Sequence, residues 1–202
     1  FDFADKTSDD YEERSLTAPG FFRGKTDSGS LDEFNWPTPA EHMTHEECRQ
    51  AVDAAPNDYA KLGIMWSAHF QDACSAFGME DALMTMLTAP EMFRAVIDRV
   101  TEFYLAANKI FYEATQEKLH AVLIGNDFGS QTELMVSPDS LREFVFPGTR
   151  RLIEQAHDYG LKVIHHSCGA VSEVIPDLIE LGADVIHPIQ ALAAGMDAER
   201  LA

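Results

Sequence analysis

The chain lacks any apolar run approaching the ~20 residues that span a bilayer, and its first residues show no basic-then-apolar leader. A soluble, cytoplasmic protein is expected. It is also poor in basic charge, with 15 Lys and Arg against 34 Asp and Glu and a formal net charge of −19. That balance excludes nonspecific attachment to nucleic acid or to anionic lipid, both of which need a basic surface. Cysteine is scarce: Cys48, Cys74 and Cys168 are odd in number and widely spaced, which fits a reducing compartment better than a disulfide framework. No G-x-G-x-x-G or G-x-x-x-x-G-K-[ST] loop follows any strand-like run, so a nucleotide-binding sheet is without its usual signature. What remains is an ordinary globular balance, 46% hydrophobic and 24% charged over 202 residues, enough to bury a sizeable core.

Residues 1–43 are rich in Asp, Ser, Thr, Gly and Pro with scattered aromatics, and read as an irregular segment with a short hairpin around Asp27-Ser28-Gly29. Thr44-His45-Glu46-Glu47 supplies the reciprocal cap of a helix that Pro56 closes. Leu62 to Trp66 has strand character, and Asp81 to Leu87 reads as a helix. Thr88-Ala89-Pro90-Glu91 repeats the capping pattern ahead of a long helix to about Lys118, whose apolar residues recur every three or four positions from Phe93 to Phe111.

From residue 119 the order is regular: a buried strand at 121–124, a loop to Ser137, helix from Pro138 to Tyr159 interrupted at Pro147-Gly148, a strand at 161–166, a helix at 171–181 and a strand at 183–187. Gly160 and Gly182 close the helices. Strands alternating with helices at this spacing imply right-handed crossovers and a parallel sheet. Polar residues collect just after the strand ends, where (β/α)8 barrels build their sites. A complete barrel typically needs about 250 residues, so four strands are expected to be part of one. The division is then an irregular 1–43 and a partial barrel over 44–202. The chain begins at Phe1 and ends at Ala202 as a helical pattern starts, which reads as a fragment, and half a barrel with open edges is expected to need a partner.

Chemistry concentrates at Val163 to Gly169. In extended backbone, side chains two apart point the same way, so His166 and Cys168 face one site together while His165 points toward the helices as a structural residue. Imidazole plus thiolate suits zinc. Asp127, at a strand end, is a candidate for binding substrate, stabilising a cation or orienting a metal-bound histidine. Asn126, Gln131, His187 and Gln190 are candidate substrate contacts, with Met65, Trp66, His69 and Phe70 near the same mouth. Cys48 and Cys74 read as packing thiols.

Ile124 to Gln131, Ser137-Pro138 to Phe146-Pro147, His166-Ser167-Cys168-Gly169 and Gly182 to Gln190 together, in order and spacing, resemble the uroporphyrinogen decarboxylase superfamily. The resemblance implies a (β/α)8 barrel and one of two chemistries. One branch decarboxylates tetrapyrroles without metal, using an Arg-Gln-Ala-Gly-Arg motif that this sequence lacks. The other, the corrinoid:thiol methyltransferases, binds zinc through His-x-Cys, matched by His166 and Cys168, and a distant Cys that would lie beyond Ala202. That branch implies a corrinoid methyl donor, a small thiol acceptor and a corrinoid protein as partner, while the open barrel edges are expected to be covered by a partner such as a further copy of the chain. A metal-free decarboxylase centred on Asp127, and a noncatalytic corrinoid- or tetrapyrrole-binding module, stand as the alternatives.

Overall fold

A computed structural model of the chain describes residues 1–3 and 18–201. The part of the expected irregular segment at 4–17 lies outside them. Four parallel strands, β1 (Leu62–Ile64), β2 (Ala121–Gly125), β3 (Lys162–His166) and β4 (Val185–His187), form one sheet in the order β1-β2-β3-β4. A doubly wound sheet reverses its strand order at a switch point. Here spatial order equals chain order, which is the arc of a (β/α) barrel.

The two faces of the sheet differ as a barrel requires. Val122, Ile124, Val163 and His165 point to the helices and are buried. On the opposite face Ile64, Leu123, Ile164 and Val185 stand in register across all four strands, with Ile64 69% and Val185 49% exposed. That row occupies the place of a layer of barrel-interior side chains.

The helical layer comprises α1 (His45–Ala54), α2 (His69–Phe77), α3 (Met79–Thr88), α4 (Pro90–Thr115), α5 (Pro138–Ser140), α6 (Phe146–Asp158), α7 (Ile175–Glu180) and α8 (Ala198–Leu201). The α1 cap is as expected: Thr44 Oγ accepts from Glu47 N at 3.2 Å, and a Glu47 carboxylate oxygen accepts from Thr44 N at 2.9 Å. The long helix α4 packs against α1, α2, α3 and α6, burying Phe93, Val96, Ile97 and Val100.

Four local expectations change. Asp27 initiates a 3-10 helix over Ser28–Glu33 rather than a hairpin, its carboxylate accepting from Gly29 N at 2.9 Å. Thr88 does not cap α4, because it is the last residue of α3 and its hydroxyl donates to the Met84 carbonyl at 2.9 Å; Pro90 alone keeps its early helical position. The 138–159 helix breaks before Pro147, through a wide turn at Leu141–Val145 with π-type bonding. Proline has no N–H for the carbonyl four residues earlier, and that carbonyl, Glu143 O, is taken by the Arg94 guanidinium at 3.2 Å. Finally, α2 was not expected at all. Its first N–H groups are capped from afar, by Asn126 Oδ1 accepting from Phe70 N at 2.8 Å and from Gln71 N at 3.4 Å.

Candidate metal centre at the strand ends

β2 and β3 end side by side, with Gly125 opposite His166. A Cβ at Gly125 would lie 2.6 Å from the Cβ of His166, so the glycine is what lets the imidazole lie over the neighbouring strand. Beyond the strands the two loops interlock. A Cβ at Gly129 would sit 2.8 Å from Ala170 N, and one at Gly169, whose φ is +88°, would sit 2.5 Å from Gly129 C. Ala170 N donates to Ser130 O at 2.8 Å, and Phe128 N donates to Ser167 Oγ at 3.0 Å. This clasp carries Asp127 to Cys168.

Three expected residues therefore meet. Asp127 Oδ1 lies 2.9 Å from Cys168 Sγ, 3.2 Å from Cys168 N and 3.2 Å from His166 Nε2. One ligand atom from each of Asp127, His166 and Cys168 falls within 4.8 Å of the other two. His187 joins them from β4, its Nδ1 2.9 Å from His166 Nδ1. The Trp66 ring closes one side, 4.9 Å from the His166 ring.

The charge states follow from these neighbours. Burial pushes the Asp127 carboxyl up, but bonds from the Cys168 thiol and N–H and the charge of His166 outweigh it, so its pKa lies below the ordinary value. Burial pulls His166 down, and Asp127 offsets this in part. Burial and the adjacent carboxylate push the Cys168 thiol up to about 11. Held this way, Cys168 is a neutral thiol at neutral pH and a weak nucleophile.

The other expected contacts divide. Asn126 is 2% exposed, and its carboxamide is spent on α2 and on His69 Nδ1 at 3.2 Å, so it shapes the mouth without facing it. Gln190 Oε1 accepts from Gly169 N at 2.7 Å, pinning the Cys168 loop. Gln131 is exposed, and its carbonyl accepts from Ala194 N at 3.0 Å. His69 and Phe70, expected near the mouth, are fully buried. His165 points away, as strand alternation requires, stacked at 5.7 Å on Phe128. Gln71 was not anticipated: its Nε2 donates to Asp127 Oδ2 at 3.3 Å. No local motif marks it, because the helix that presents it takes its cap from Asn126.

Comparison with known proteins adds three findings. The family model described as uroporphyrinogen decarboxylase (URO-D) matches residues 30–192. A methylated-thiol--coenzyme M methyltransferase of Methanosarcina mazei is 30% identical over 118 residues, which are 58% of this chain and 30% of that protein. A solved structure described as a methyltransferase from Methanosarcina mazei superposes with a TM-score of 0.54 at 18% identity, over 70% of this chain and 40% of the other. The chain thus spans well under half the length of either relative.

Proposed function

The chain belongs to the uroporphyrinogen decarboxylase family, and from that premise we propose that it acts as a zinc-dependent methyltransferase, moving a methyl group from a corrinoid to a small thiol. The single observation that carries this reading is the convergence of His166 Nε2 and Cys168 Sγ beside Asp127, on loops at the carboxyl ends of parallel strands. The similarity to a protein named as a methylated-thiol--coenzyme M methyltransferase supports a thiol as one reactant.

The donor set fits zinc, which takes imidazole nitrogen, thiolate sulfur and carboxylate oxygen together. His166 and Cys168 would hold it. When bound, zinc supplies the charge that keeps a coordinated substrate thiol ionised at neutral pH. The chain's own residues do the rest. Asp127 and the clasped loops keep Cys168 against His166, His187 fixes the imidazole orientation, and Trp66 offers a flat apolar wall beside the imidazole. With the methyl donor supplied from outside, the protein's task is to bind, orient and exclude water.

Metal content tests this. The protein purified without chelator, measured by mass spectrometry beside Cys168→Ser, is expected to carry near-stoichiometric zinc that the variant loses. Absence of metal from both proteins refutes the zinc reading and leaves a metal-free, decarboxylase-like pocket centred on Asp127, or a binding module.

A further inference from the structure

His166 and Cys168 supply two ligands, and a third has been expected only from a distant cysteine. The fold brings another candidate into the same shell. Asp127 Oδ1 is met at once by Cys168 Sγ at 2.9 Å, Cys168 N at 3.2 Å and His166 Nε2 at 3.2 Å. At a tetrahedral zinc with bonds of about 2.0 Å to nitrogen and oxygen and about 2.3 Å to sulfur, neighbouring ligand atoms stand about 3.3–3.5 Å apart. The imidazole-to-carboxylate spacing already has that value, and the thiol-to-carboxylate spacing needs to open by about half an ångström.

Proton balance decides what the carboxylate does. A cation taking Sγ displaces the thiol proton, and a cation taking Nε2 moves the single imidazole proton to Nδ1. On that side His187 Nδ1 stands 2.9 Å away to accept it. Both side-chain donors that Asp127 Oδ1 now faces would be gone, and the carboxylate would be left beside the cation that displaced their protons. It cannot readily swing aside. Cys168 N holds Oδ1, Gln71 Nε2 holds Oδ2 at 3.3 Å, and its loop is locked by the Gly129 and Gly169 contacts.

Resting on the zinc reading above, we propose that Asp127 is itself a metal ligand, joining His166 and Cys168 at the ends of β2 and β3.

Cobalt titration reads this without any activity assay, since each thiolate bound to Co2+ contributes its own charge-transfer absorbance. Four chains are compared: the unaltered protein, Cys168→Ser, Asp127→Asn, which keeps an acceptor for Cys168 N, and Asp127→Cys. Thermal unfolding by circular dichroism verifies that each is folded. The proposal expects Asp127→Asn to weaken Co2+ binding by about tenfold or more, as loss of a ligand should at least equal loss of an outer partner. Asp127→Cys should restore binding with about twice the thiolate absorbance of the unaltered protein, since two thiolates then replace one. Unchanged affinity in Asp127→Asn, with binding lost in Cys168→Ser, overturns the ligand role while the zinc reading stands. Failure of the unaltered protein to bind Co2+ or Zn2+ overturns both.

Discussion

His165 offers the sharpest stability prediction, because no group among the described residues hydrogen-bonds its buried ring. It is fully buried on the helix side of β3, and neither ring nitrogen has a hydrogen-bond partner among the described residues. Burial, with smaller contributions from His69 and His166, lowers its pKa from 6.5 to about 3. In the native state it stays neutral down to that value, whereas in the unfolded chain it takes up a proton near 6.5. Between the two, the unfolded state binds more protons, so this residue's effect on stability is constant above pH 6.5 and increasingly unfavourable as pH falls. At pH 4 the loss relative to pH 8 comes to about 3 kcal/mol, from 1.36 kcal/mol for each tenfold change in proton binding. His165→Leu, close in volume, removes the titration and the two unpartnered nitrogens, each of which costs ~1–3 kcal/mol when buried. Urea unfolding followed by Trp fluorescence from pH 8 to pH 4 should show the variant more stable throughout. Its advantage should widen by about 3 kcal/mol toward the acid end. A difference between the two proteins that is the same at every pH would refute this reasoning.

Two further predictions concern the strand ends. His187→Ala removes the partner of His166 Nδ1 and should weaken metal binding ~10–100-fold in a chelator competition while leaving the thiolate-to-Co2+ band intact; unchanged affinity would remove His187 from the centre. Gly125→Ala places a methyl 2.6 Å from His166 Cβ and 2.7 Å from its carbonyl oxygen, so it should displace the imidazole and abolish stoichiometric metal binding in a protein that still unfolds cooperatively. Retained metal in Gly125→Ala would show that the strands separate more easily than this packing implies.

Much of the fold is legible along the chain because its signals are local. The Thr44 and Glu47 cap, the glycines at 160 and 182, the apolar strands and the periodicity of α4 each depend on neighbours within a few residues. Where an element depends on a distant residue, the pattern fails. Helix α2 starts on Asn126, the Glu143 carbonyl ahead of Pro147 is satisfied by Arg94, and Thr88 is claimed by the preceding helix. Asn126 shows the cost for function: strand-end position marked it as a substrate contact, yet its amide is buried capping a helix 56 residues earlier.

By itself the sequence determined the strand and helix order and the placement of His166 and Asp127 at strand ends, since these follow from alternation and chain punctuation, whereas Cys168 lies in the loop beyond β3. Only the tertiary structure decided that the carboxylate, the imidazole and the thiol share one oxygen-centred cluster, that His187 stands behind the imidazole, that Gln190 pins the Cys168 loop and that Asn126 caps α2. The physical reason is that strand register and loop packing are long-range properties. Gly125 opposite His166 and the Gly129 and Gly169 clasp set distances between residues about 40 apart in sequence, and no periodicity within either segment contains those distances.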